Sequence, residues 1–196
     1  SACNLRCVFC QNWDISASAT GREMDAASLA GVMLGLQEAG CHNINLVTPT
    51  HFVPQILTAL LHAARGGLCL PLVYNTSGYD RVPTLSLLDG IVDFWLPDAK
   101  YADDATARRL SGFRNYVTNN RAALREMYRQ VGPELVIDSD GLALRGMIIR
   151  HMILPEGRAG THQVLDWLAR ELSPRIYVSL MDQYFPAYHA IEDPVL

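Results

Sequence analysis

From Asp25 to Met181 the chain alternates between stretches with apolar residues at helical spacing and short apolar runs of strand character. No other feature constrains its fold as tightly. Asp25 reads as the N-cap of a helix carrying Leu29, Val32, Met33 and Leu36 and ending at Gly40. A strand over Asn43–Thr48 follows. Pro54 opens the next helix, whose apolar face is Val53, Ile56, Leu57, Leu60, Leu61 and Ala64, with Gly66-Gly67 as its stop. Leu70–Asn75 is a strand with Thr76-Ser77-Gly78 as its exit turn, Val82–Leu88 a short helix, and Ile91–Leu96 a strand running into Pro97-Asp98-Ala99-Lys100. A long helical stretch over Asp103–Val131 is predicted to break near Gly112. Gly146–Leu154 is the next strand, Thr161–Leu172 a helix with Val164, Leu165, Leu168 and Leu172 on one side, and Arg175–Met181 the last strand. Five strands mostly separated by helices imply right-handed crossovers and a parallel sheet.

At 196 residues the chain suits one domain, residues 1–196, with a sizeable core. Hydrophobic residues make up 49% and charged residues 18%, which fits an α/β protein with a buried parallel sheet. A net charge of −4 points to neither nucleic acid nor an anionic membrane as partner. No apolar run has the length of a transmembrane helix, and no signal peptide, internal repeat or low-complexity segment is visible.

The chemistry-bearing motif lies near the start, in Cys3-Asn4-Leu5-Arg6-Cys7-Val8-Phe9-Cys10. It holds three of the five cysteines in the protein. That spacing lets one short loop turn three thiolates toward a common point, and thiolates are soft ligands for iron–sulfur clusters or zinc. A structural zinc site wants a fourth ligand, often from a second Cys or His pair, and no such pair follows. Three thiolates would leave one iron of a [4Fe–4S] cube open to a small molecule. From the residues alone, a cluster loop, a zinc-binding loop and inert thiols all stay open. A thiol site that must stay reduced points to the cytoplasm.

The segment from Cys3 to Ser16, with Phe9 before the third cysteine and Gln11-Asn12-Trp13-Asp14 after it, resembles the cluster loop of radical S-adenosylmethionine (SAM) enzymes. Within that superfamily it resembles the pyruvate formate-lyase-activating-enzyme-like proteins. The resemblance implies a [4Fe–4S] cluster on Cys3, Cys7 and Cys10, with SAM chelating the open iron through its amino and carboxylate groups. One electron from the cluster would cleave SAM to methionine and a 5′-deoxyadenosyl radical, which abstracts a hydrogen atom. It further implies an α/β fold, a partial (βα)6 TIM-like barrel of the radical SAM type. In such barrels a strand precedes the cluster loop, whereas here the loop begins almost at Ser1, so the chain is expected to be a fragment lacking its first strand. Asp193-Pro194-Val195-Leu196 likewise brings no capping element. The implied partners are a glycyl radical enzyme or another protein as substrate, and a reductant such as flavodoxin or ferredoxin. The alternatives are a radical SAM enzyme acting on a different protein, peptide or metabolite, and a non-catalytic zinc-binding domain.

In parallel α/β folds ligands sit at the carboxyl ends of strands, so polar residues there are the site candidates. Val47-Thr48-Pro49-Thr50-His51 stands where many radical SAM proteins carry Gly-Gly-Glu, and Thr48 and Thr50 are candidates to accept from the SAM ammonium. Taken alone, either threonine is as well read as part of a turn. Tyr74-Asn75-Thr76-Ser77-Gly78 is similar to the Asp-Thr-Asn-Gly turn of the activating enzymes, making Asn75 and Ser77 candidates to hydrogen-bond SAM. Asp98-Ala99-Lys100 matches the family's Asp-x-Lys. Both side chains point the same way, Asp98 toward ribose hydroxyls and Lys100 toward the methionine carboxylate, with a surface salt bridge as the alternative. Arg150 interrupts an apolar strand and needs a carboxylate partner, SAM's among them; His151 must face the other side. Gln183 follows the last strand where the activating enzymes place a histidine near the adenine, and Phe9 completes the cofactor-binding set. No residue is assigned a catalytic role of its own. Cys41 and Cys69 read as buried thiols, and His42, His62, His162 and His189 as surface or capping residues. His51 stays ambiguous, and the arginines of residues 108–129 form a solvated face.

Overall fold

The computed structural model describes residues 3–18, 20–193 and 196. Ser1 and the Pro194-Val195 pair, named above for the chain ends, lie outside the described residues. The helices are α1 (Trp13–Ser16), α2 (Ala26–Glu38), α3 (Val53–Arg65), α4 (Val82–Ser86), α5 (Asp104–Ser111), α6 (Tyr116–Val131) and α7 (Thr161–Glu171). The strands are β1 (Ile44–Val47), β2 (Leu72–Thr76), β3 (Phe94–Pro97), β4 (Val136–Ile137), β5 (Ala143–Met152) and β6 (Tyr177–Met181). They form one mixed sheet of six strands in which β1, β2, β3, β5 and β6 lie side by side in parallel.

The alternation read from the sequence appears as these parallel strands and their connecting helices. Asp25 caps α2, its carboxylate accepting from the Ser28 N–H at 2.7 Å. The long helical stretch breaks at Gly112, whose φ of +78° ends α5 in a left-handed turn. The turn face of α2 differs from expectation. Ala30 and Met33 are buried, while Val32 and Leu36 are exposed, because α2 packs chiefly on α3 and leaves one flank of its apolar face uncovered. Leu61 of α3 is also exposed, its place inside being taken by Ala59 and Ala63. Cys69 is exposed and Cys41 only half-buried, so neither is the buried thiol predicted; Gln37 Oε1 accepts from both the N–H and the thiol of Cys69.

β4 was not legible as a strand. It runs antiparallel to the start of β5, joined by a turn in which Asp138 Oδ1 accepts from the N–H groups of Asp140 and Leu142. Gly146 permits this fold-back: its φ is +139°, and a Cβ there would lie 2.5 Å from Leu135 Cδ2.

Register decides which side chains face the helices. Leu46, Tyr74, Trp95 and Met147 form one row across four strands, with the Tyr74 and Trp95 rings 5.0 Å apart. With Ile149, the last three of that row meet Leu124 and Met127 of α6 and Val164 and Leu168 of α7 in the main core. Each such side chain contributes roughly 1.5–3 kcal/mol when fully buried. Because side chains alternate, Asn75, Leu96, Asp98, Ile148 and Arg150 lie on the opposite face. A second core of Phe9, Tyr101, Leu110, Tyr116 and Leu154 sits beneath the cysteine loop.

Candidate metal and cofactor centre

The cysteine loop is docked by groups that a helix end leaves unpaired. α5 stops at Ser111, so its last carbonyls lack partners within the helix. The N–H groups of Arg6 and Val8 donate to the carbonyls of Ser111 and Leu110 at 3.1 and 2.9 Å. On its other side the Val8 carbonyl accepts from the Ala190 N–H at 2.9 Å. Asn4, between the first two cysteines, donates to the Tyr79 carbonyl at 3.1 Å and accepts from the Ser77 hydroxyl at 3.2 Å. Ser77 is therefore brought to the cysteine loop, through Asn4. Phe9 is buried in the second core, edge-on to Tyr184.

So anchored, the loop turns Cys3, Cys7 and Cys10 onto one cavity of about 420 Å³. Arg6, Trp13, Ser16 and Tyr188 also line it, with the Trp13 and Tyr188 rings stacked at 5.5 Å. Each sulfur has a polar neighbour. Cys3 Sγ accepts from the Leu5 N–H at 3.4 Å, Cys10 Sγ lies 3.3 Å from Ser16 Oγ, and Cys7 Sγ lies 3.0 Å from Ser111 Oγ. Burial pushes the Cys7 thiol pKa up, with Lys100 and the Ser111 hydroxyl opposing the rise.

Among the described residues, no group of three His, Cys, Asp or Glu side chains converges closely enough to hold a metal ion. A single zinc needs every sulfur about 2.3 Å from one point, whereas an iron–sulfur cube takes each thiolate on a different iron. Three thiols lining one cavity have the donor chemistry that either group takes.

The strand ends bring a cluster of charges together. Asp98 lies 2.6 Å from Lys100 Nζ and 2.7 Å from Arg150 Nη2, and its side chain is only 9% exposed. The Arg150 contact is an ion pair whose alignment falls short of a hydrogen bond, and Arg150 Nε is buried without a partner. One carboxylate thus faces two cations, leaving a positive charge that an anionic group would balance. Burial works to lower the Lys100 pKa, but Asp98 and then the charge of the Cys7 sulfur hold it above its ordinary range. His151 faces the other way as predicted: it is fully buried, with Nδ1 2.5 Å from the Ala99 carbonyl and Nε2 3.0 Å from Thr161 Oγ1. Burial lowers its pKa.

Two supports for these ends were missed in the sequence. The Tyr116 hydroxyl accepts from the Lys100 N–H at 3.0 Å and donates to the Ser77 carbonyl at 3.1 Å. One helical turn later, Asn120 Nδ2 donates to the carbonyls of Gly78 and Asp98 at 3.0 and 2.8 Å. Polar residues four apart on an otherwise apolar helix face were the available signal. This tight seam requires Gly78, at φ +71°, since a Cβ would lie 2.2 Å from the Asp98 carbonyl oxygen. Asp80 was missed as well. Its buried carboxylate accepts from the hydroxyls of Thr50, Tyr74 and Thr76 at 2.7, 3.1 and 2.6 Å. Burial pushes its pKa up, and the hydroxyls moderate the rise.

Thr50 is therefore committed to Asp80 as a donor, although its oxygen still has acceptor capacity. Thr48 adopts a left-handed φ of +51°, donates its N–H to the Asn75 carbonyl at 2.8 Å, and lines a separate cavity with Arg22, Glu23 and Phe52. Asn75 is half-buried on β2, and Gln183 is exposed on the loop after β6. His51 tilts against the Phe52 ring and is exposed.

No family model matches the chain. An uncharacterized protein of Methanocaldococcus jannaschii is 28% identical over 204 aligned positions, covering 98% of this chain and 54% of that protein. The chain thus spans about half the length of the curated relative it matches. Among solved structures, HydG, a maturase of the [FeFe]-hydrogenase, superposes with a TM-score of 0.57 at 10% identity, covering 100% of this chain and 44% of HydG. The likeness is one of fold: this chain shares the mixed α/β architecture of part of HydG.

Proposed function

We propose that this chain is the core domain, residues 1–196, of a radical SAM iron–sulfur enzyme. The observation that carries the reading is the cavity lined by Cys3, Cys7 and Cys10. The fold shared with HydG supports it. So does the chain-order arrangement of the parallel strands, which suits a partial (βα)6 TIM-like barrel. Among the described residues no helix is long and apolar enough to cross a membrane. Thiolate ligands that must stay reduced favour the cytoplasm as the site of action.

In this reading Cys3, Cys7 and Cys10 hold a [4Fe–4S] cluster in the cavity they line. A cluster bound there would supply the electron for reductive cleavage of SAM and so for hydrogen-atom abstraction from substrate. The chain's own residues bind and orient. Lys100 and Arg150, sharing one carboxylate, carry the spare positive charge for the SAM carboxylate. Asn75 and Ser77 are assigned as hydrogen-bond partners of SAM, Asp98 as the acceptor for its ribose hydroxyls, and Thr50, with Thr48 from the neighbouring cavity, as acceptors for its ammonium. Phe9 packs the loop against the second core, and exposed Gln183 is left as the adenine contact.

The narrower reading is an activase of the pyruvate formate-lyase type, with a glycyl radical enzyme as protein substrate and flavodoxin or ferredoxin as reductant. It rests on the cysteine-loop resemblance and on the Asp98-x-Lys100 pattern.

Anaerobic reconstitution with iron and sulfide tests the chemistry. The expected product is a reducible cluster with broad visible absorption, lost on changing Cys3, Cys7 or Cys10 to Ala and retained in Cys41→Ala and Cys69→Ala. Stoichiometric zinc with no bound sulfide would overturn it. With SAM and reductant the loaded protein should release methionine and 5′-deoxyadenosine. A glycyl doublet by electron paramagnetic resonance on an added glycyl radical enzyme would support the activase reading; SAM cleavage without it from any enzyme tried would remove that label alone.

A further inference from the structure

We propose that Ser111 is a positioning residue that donates a hydrogen bond to the Cys7 thiolate, backed by Tyr101, and so sets how readily a cluster held there accepts an electron. This rests on reading the three cysteines as cluster ligands. Ser111 Oγ lies 3.0 Å from Cys7 Sγ and 2.6 Å from the Tyr101 hydroxyl. Both residues are buried, Ser111 to 0% and Tyr101 to 3% exposure.

Counting protons fixes the direction of this chain. A thiolate bound to metal has no proton and can only accept. Ser111 must therefore give its one hydroxyl proton to Cys7, which leaves only its lone pairs for Tyr101. The Tyr101 phenol then donates to Ser111, and the relay runs Tyr101 to Ser111 to Cys7. Donors in series polarise one another, and a dry setting strengthens each of them.

The other two sulfurs have weaker company. Cys3 accepts a backbone N–H at 3.4 Å, and Cys10 faces Ser16 at 3.3 Å on a half-buried helical turn. Ser111 is also placed by the fold itself, because its carbonyl accepts from Arg6, next to Cys7 in the chain. One residue thus positions the loop and supplies the shortest hydrogen bond to a sulfur. Hydrogen bonds to cluster sulfurs tune reduction potential. An added electron makes the sulfurs more negative, so a donor favours the reduced form.

The test is a redox titration of the reconstituted protein followed by electron paramagnetic resonance. Ser111→Ala should lower the ratio of reduced to oxidised cluster at a fixed potential about tenfold, a midpoint lower by ~59 mV for one electron. Tyr101→Phe should shift it the same way by less, since Ser111 keeps its proton but loses polarisation. A role confined to folding would change the melting temperature and leave the midpoint of the loaded protein alone. If both variants load iron and sulfide fully and titrate like the parent, the proposal is overturned. Where Ser111→Ala fails to load, Tyr101→Phe decides: a lowered midpoint supports the relay, an unchanged one overturns it. A parent protein that takes up no sulfide-containing cluster would instead overturn the reading beneath it.

Discussion

Replacing Asp98 by Asn should destabilise the protein far more than the loss of a surface ion pair. Asp98 is 9% exposed and is shared by Lys100 and Arg150, whose side chains are 21% and 27% exposed. Removing one member of a buried ion pair typically costs about 3–5 kcal/mol, because the charge left behind is uncompensated. Here two cations would be left facing each other, but both reach some solvent, so the low end, about 3 kcal/mol, is the expected cost. For a domain of this size each kcal/mol is worth roughly 2–4 °C, giving a melting temperature lower by about 6–12 °C. Chemical denaturation followed by circular dichroism measures the free energy directly. Adding Lys100→Met to Asp98→Asn should recover part of the loss, since one unpaired cation goes with it. A cost below about 1 kcal/mol, the range of exposed pairs, would refute the argument that these charges are held out of water. The Lys100 share of this stability has a defined pH window. Its folded pKa is raised, so the contribution is complete below the unfolded lysine value of about 10.4 and is lost only as pH climbs through the folded value.

Gly78→Ala should be poorly tolerated, losing about 3 kcal/mol or more by urea denaturation, because it combines a left-handed backbone with a Cβ 2.2 Å from the Asp98 carbonyl oxygen. Tyr116→Phe leaves the Lys100 N–H without its acceptor and should cost about 1–3 kcal/mol in the same assay, while a cost near zero would mean water replaces the hydroxyl. Asp80 has a raised folded pKa, so folding binds its proton, and this group makes stability fall as pH rises from about 4 toward the folded value. Asp80→Asn should flatten that part of the urea-midpoint profile, and an unchanged slope would show that Asp80 stays ionised throughout.

Legibility followed the range of the forces involved. The cap at Asp25, the break at Gly112 and the five parallel strands rest on spacing within a few residues, and they appear in the structure close to where the pattern put them. The face of α2 was misjudged because periodicity shows which residues are apolar, whereas a neighbouring element decides which of them are covered. β4 escaped notice because Val136-Ile137 is too short to carry a pattern and becomes a strand only by pairing with β5.

The sequence by itself determined that three thiols share one loop, that Asp98 and Lys100 point the same way, and that Arg150 needs a carboxylate. Those conclusions need only backbone periodicity and the cost of burying charge. Tertiary structure alone decided that the carboxylate is Asp98, the residue just past the end of β3, brought level with Arg150 by a parallel bridge. It also decided that Cys7 meets Ser111, 104 residues away, because an α-helix ending at Gly112 has carbonyls that the cysteine loop can satisfy. Likewise Asp80, unremarkable between Tyr79 and Arg81 in the chain, becomes the acceptor for three hydroxyls only once two strand ends close around it. Local patterns determine which groups are available; strand register and helix ends determine which of them meet.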